Sequence, residues 1–131
     1  MPKYQMKNKK VVTRNEILQI LDWCKEKLGR SKYFSIRKLQ FRIDTRMNFL
    51  GQFDISKNII YVNPLRHKNR IELAETVIHE YVHFLQNPKE YNRLLMRSNY
   101  DDYYDHPHEY EAESIALKLG KQCLKELKER K

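Results

Sequence analysis

The sequence predicts an α+β domain on three observations. Apolar residues recur at helical spacing over 13–29, 69–86 and 107–126, they alternate with polar residues over 33–63, and only 3 Gly and 4 Pro interrupt 131 residues. A chain of this length holds one compact core, so residues 1–131 are read as a single domain. With 40% hydrophobic and 33% charged residues, wholly disordered and low-complexity classes are excluded.

Residues 1–10 read as a basic leader, expected to be mobile. Thr13-Arg14-Asn15-Glu16 is a capping box, its hydroxyl and carboxylate each satisfying an orphan backbone donor, and it opens the first helix. Ile17, Leu18, Ile20, Leu21, Cys24 and Leu28 form the apolar face, Trp23 falls at its edge, and Gly29 supplies a left-handed stop. The period then changes: Leu39, Phe41 and Ile43 alternate with Lys38, Gln40, Arg42 and Asp44, as in a strand with one wet face. Two further runs, Met47 to Asp54 and Asn58 to Val62, flank the turn Ile55-Ser56-Lys57, and Asn63-Pro64 ends the second because proline cannot continue a ladder. The expectation is a small antiparallel sheet packed on the N-terminal helix, a central helix over about 69–86 and a C-terminal helix. A short helix is expected at about 90–96 and a loop at 99–106. Pro107 suits the first turn of the last helix, which runs to about Glu126 before a charged tail over 127–131, again expected to be mobile.

Cys24 and Cys123 sit in helical apolar patterns without CxxC spacing and read as reduced core residues. The longest apolar runs are a few residues, far short of the roughly 18–20 that span a bilayer, and no apolar signal core follows the leader. Both point to a cytoplasmic protein without a membrane partner. Net charge is +9, unevenly distributed: residues 1–70 carry 17 basic and 5 acidic side chains, residues 71–131 carry 9 and 12. The basic residues of the first half belong to several elements that nothing forces onto one surface, so only weak, non-specific nucleic-acid binding is expected.

The chemistry lies in the acidic half. Residues 79–83 are His79-Glu80-Tyr81-Val82-His83, an HExxH motif in phase on the central helix. Four residues on a helix span about 40° of rotation and one turn of rise, so both imidazoles can reach one ion, while Glu80 projects beside it as a general base for a metal-bound water. At ordinary residue frequencies such a motif arises by chance roughly once in a few hundred chains of this length.

A catalytic zinc takes three protein ligands and keeps one position open, so a third must come from elsewhere. The candidates lie in His106-Pro107-His108-Glu109-Tyr110-Glu111-Ala112-Glu113. Glu109 falls in phase with the last helix's apolar face of Ala112, Ile115, Ala116, Leu119, Cys123 and Leu127, where a carboxylate is costly unless paired. That favours Glu109, with His106 or His108 and then Glu113 or Glu111 as alternatives. Glu113, one turn further on the same flank, is positioned to accept a ring N–H from His79 or His83.

The HEYVH helix, followed 26 positions after His83 by Glu109 in the frame E-x-x-A-E, resembles the gluzincin branch of the zincin metallopeptidases, and the small chain is most similar to the single-domain minigluzincins. The hairpin of residues 50–63 looks like the strand pair that leads into such a helix, so the resemblance covers about residues 47–120. In larger gluzincins the third-ligand motif has Asn before the Glu and Asp four after it, where this chain has His108 and Glu113. The resemblance implies a minimal zincin-like fold and one zinc per chain, held by His79, His83 and Glu109, with Glu80 as general base and a peptide or unfolded protein as substrate. Tyr103, Tyr104, His106 and His108 are the candidates for an extra transition-state donor. The competing expectation is a zinc-binding, non-catalytic regulatory or nucleic-acid-associated module on the same fold.

Overall fold

A computed structural model describes residues 2–90, 93 and 106–130. They form an α+β arrangement of two small sheets and three long helices: β1 (Lys3–Gln5), β2 (Val11–Thr13), α1 (Arg14–Leu28), β3 (Gln40–Ile43), β4 (Gly51–Asp54), β5 (Ile59–Val62), α2 (Arg70–Leu85) and α3 (Pro107–Glu129). No helix among the described residues is long and apolar enough to cross a membrane.

The first helix begins where the capping box places it, with the Thr13 hydroxyl accepting the Glu16 N–H at 3.2 Å. It ends at Gly29, whose φ of 81° and ψ of −162° suit glycine alone. Trp23 is fully buried instead of lying at the edge, because α1 is covered by α2, α3 and β2 together and its buried arc is correspondingly wide. The Tyr81 hydroxyl donates to the Gly29 carbonyl and ties this helix end to α2.

The described part of the basic leader carries the first strand. β1 pairs antiparallel with β2, Tyr4 opposite Val12, and Met6 and Val12 are buried. Lys9, at φ 69°, closes the turn, and the Lys7 N–H bonds the His67 carbonyl at 2.9 Å, fastening the hairpin to the segment before α2. The three-residue strands are too short to announce themselves by alternation. At the other end of the chain α3 continues to Glu129, past the expected end near Glu126, with Leu127 packed on the core and Arg130 paired with Glu26 at 2.9 Å.

The main sheet is mixed, where an antiparallel sheet was expected. β4 and β5 form the anticipated antiparallel hairpin, but β3 runs parallel to β5, giving the order β3-β5-β4. Residues 44–50 carry the chain across β5, so β4 starts at Gly51 and not at Met47. Asn63 pins that crossover, its amide donating to the Thr45 and Met47 carbonyls at 3.3 and 2.8 Å. The central β5 is buried at Ile59, Ile60 and Val62, whereas β3 keeps Gln40 and Arg42 wet as its alternation requires.

α2 is capped by Asn69, which accepts the Glu72 N–H at 2.9 Å, while Glu72 reaches back to the Lys68 N–H at 3.1 Å. Leu73, Ala74, Val77, Ile78, Tyr81 and Phe84 are wholly buried. Across from them α3 presents Ala112, Ala116 and Gly120, all buried. A Cβ at Gly120 would stand 2.6 Å from Glu75 Cγ, so glycine leaves room for the Glu75 side chain between α2 and α3. Cys24 and Cys123 are buried free thiols, and burial pushes Cys123 up to about 12. Most of the segment read as a short helix at 90–96, and the loop with Tyr103 and Tyr104, lie outside the described residues.

Candidate metal centre

The close approach of α2 and α3 brings three side chains together. His79 Nε2 lies 3.1 Å from Glu109 Oε2, His83 Nε2 lies 2.9 Å from Glu109 Oε1, and the two Nε2 atoms are 3.2 Å apart. These three residues could hold a metal ion: one ligand atom from each falls within 4.8 Å of the others. Metal–ligand bonds of about 2.0–2.1 Å place tetrahedral ligand atoms roughly 3.3 Å apart, close to the spacings of this cluster. Two imidazole nitrogens and one carboxylate oxygen also match the donor set of a zinc site with an open position.

The ring nitrogens turned away from the cluster have partners of their own. His79 Nδ1 is 3.1 Å from Glu113 Oε2, the contact that the helical phase of Glu113 suggested. His83 Nδ1 is 2.6 Å from Gln86 Oε1, and Gln86 was not anticipated. A polar residue at the end of an amphipathic helix reads as an ordinary cap. The signal available was its spacing, three residues after His83 and on the same flank.

Burial works against protonation of His79 and His83, but the hydrogen bonds they donate to Glu109 and the charge of Glu80 outweigh it and raise both above the ordinary imidazole range. Glu109 responds in the opposite sense: burial would raise it, yet the two imidazoles hold it well below the usual carboxylate range. Glu80 is 8% exposed, and burial raises its carboxyl against the opposing pull of His79 and His83. The Phe53 backbone N–H also pulls the Glu80 carboxyl down, less strongly than the two imidazoles. Gly51 makes room for it, because a Cβ there would stand 3.2 Å from Glu80 Cγ and 2.6 Å from Thr76 Cγ2.

The cluster opens into a cleft of about 990 Å³ along α2, walled on one side by β4 and on the other by the first turns of α3. Its described lining does not include His106 or His108. His106 is buried at the start of α3, where its Nδ1 accepts the His108 N–H at 3.0 Å, and it therefore caps the helix instead of joining the cluster. The His108 carbonyl accepts from Gln86 Nε2 at 2.8 Å, and Glu111 Oε1 from the same nitrogen at 3.1 Å. Of the alternatives for a third ligand, Glu109 alone joins both histidines among the described residues.

No protein-family model, curated protein or solved structure matches this chain.

Proposed function

We propose that this chain is a zinc-dependent endopeptidase on a minimal zincin-like fold, acting on extended or unfolded polypeptide. The observation that carries the reading is the convergence of His79, His83 and Glu109 beside a buried Glu80 at the floor of an open cleft. Zinc in such a donor set supplies a Lewis acid for a carbonyl oxygen and lowers the pKa of water towards about 7. Glu80, raised by burial, accepts the proton of the attacking water and returns it to the departing amine nitrogen.

The cleft's shape supports an extended substrate. β4 is an outer strand, and the Asn63 N–H bonds the Leu50 carbonyl at 3.0 Å, so the peptide groups of Leu50 and Gln52 face β5 while those of Gly51 and Phe53 face the cleft. An incoming peptide can pair there as an added strand. Phe49, Leu50, Ile55, Tyr110 and Leu117 are exposed apolar side chains around the same cleft, which favours segments whose own apolar side chains are unburied.

Protein purified without added metal should carry one zinc per chain. Glu80→Gln should keep the zinc and the fold yet lose hydrolysis of an unfolded protein by at least about a hundredfold. Equal cleavage by both forms would trace the activity to a contaminant. A zinc-loaded wild type without cleavage would leave the non-catalytic module.

A further inference from the structure

We infer that Gln86 is a positioning residue that fixes the ring tautomer of His83 and sets the spacing between α2 and α3 at the cluster. The inference rests on the metal reading above, since it assigns how one ligand is held in register for the ion.

A primary amide offers one acceptor oxygen and one nitrogen with two hydrogens. Gln86 Nε2 faces the His108 carbonyl at 2.8 Å and Glu111 Oε1 at 3.1 Å, both acceptors. Reversing the amide would set an oxygen against two oxygens, so its orientation is determined on that side. Oε1 therefore faces His83 Nδ1, 2.6 Å away, and the hydrogen in that contact comes from the ring. With Nδ1 protonated, the lone pair of the neutral ring sits on Nε2, the atom that faces Glu109 and His79. Gln86 is 8% exposed, which shields these bonds from water.

The same residue works through its main chain. Its N–H closes the end of α2 on the His83 carbonyl at 3.2 Å. Gln86 thus grips His83 at both backbone and ring, and grips the first turn of α3 on either side of Glu109. His79 is supported differently, by Glu113, whose side chain is 58% exposed and reached only from the surface.

Imidazole 15N spectra and zinc competition titrations test this. In wild type the neutral His83 ring, read in zinc-free protein at a pH above its raised folded value and again with zinc bound, should carry its one proton on Nδ1. Gln86→Leu should expose that position to solvent exchange and weaken zinc binding about 10- to 100-fold, the usual cost of losing such a support. Its zinc-free circular dichroism should match wild type. Gln86→Glu, which keeps an acceptor, should retain the Nδ1 proton. A wild-type ring bare at Nδ1 would overturn the inference even if no variant folds, and so would zinc affinity in Gln86→Leu within about threefold of wild type. A wild type that binds no zinc would instead remove the metal reading. The position of the single ring proton in zinc-free protein, at a pH where His83 is neutral, would then still decide the role of Gln86.

Discussion

Two histidine environments, one buried and one half-buried, touch the same helix and answer desolvation in opposite ways. His67, fully buried, stands between the Asn63 carbonyl and the Thr76 hydroxyl of α2, 2.7 Å from each. Its Nδ1 donates to the carbonyl, so Nε2 accepts from Thr76, and with neutral partners burial lowers its pKa. One turn further along α2, His79 and His83 are also withdrawn from solvent, yet Glu109 turns the same desolvation into a net rise. A buried imidazole among neutral groups is a structural pin, whereas a pair of them on one carboxylate, on the reading proposed above, is a place where a cation can take over from protons.

The largest contrast should come from deleting the carboxylate. Glu109→Ala should abolish stoichiometric zinc, whereas Glu113→Ala, which frees only the far nitrogen of His79, should weaken it about 10- to 100-fold by competition titration. His67→Ala is the reciprocal experiment: zinc should remain at one per chain, while thermal unfolding registers a loss of about 2–4 kcal/mol for the cavity and the stranded Thr76 hydroxyl. Zinc loss in His67→Ala, or its retention in Glu109→Ala, would erase the distinction between the two environments.

Gly51→Ala presses on the point where the two regions meet, because the new methyl would crowd both Thr76, the partner of His67, and Glu80. Turnover should fall roughly tenfold through displacement of Glu80 while zinc content stays unchanged.

The smallest effect, and the sharpest in sign, is the pH dependence. His67 is depressed, so its contribution to stability is present above its unfolded value of about 6.5 and lost as the pH falls through the folded value. In zinc-free protein His79 and His83 are raised, so their contribution is present below about 6.5 and lost as the pH rises through their folded values. Glu109, depressed, contributes above about 4.3 and is lost as the pH falls. Zinc displaces the imidazole protons, so its affinity should climb with pH, and the climb should still be under way above 6.5. Unfolding and zinc titrations across pH 5–9 read both limbs. An affinity already level at about pH 6 would contradict the proton competition.

Much of the site was legible from one dimension because it lies on helices. Helical phase depends only on local spacing, so HExxH put His79 and His83 on one flank, and the core phase of Glu109 marked it as a carboxylate in need of a partner. The sheet was less legible. Alternation identified the wet face of β3 but carries no information on which neighbour a strand takes, and the parallel pairing with β5 follows from the crossover that Asn63 holds. The strand in the leader was not legible because the β1–β2 pairing, the buried Met6 and the bond to the His67 carbonyl have no periodic signature.

By itself, then, the sequence determined the α+β class, the bounds of α1 and α2, the caps of α1, and which residue types could meet at an ion, because capping and amphipathic phase are settled within a few residues of chain. Only the tertiary structure decided that His106 caps α3 instead of joining the cluster, that Gln86 supports His83, and that Gly51 and Gly120 are the gaps into which Glu80 and Glu75 fit. Those outcomes depend on distances between residues from 22 to 45 positions apart, or on how one end of a helix is met by another element, and such distances are fixed only when the elements pack.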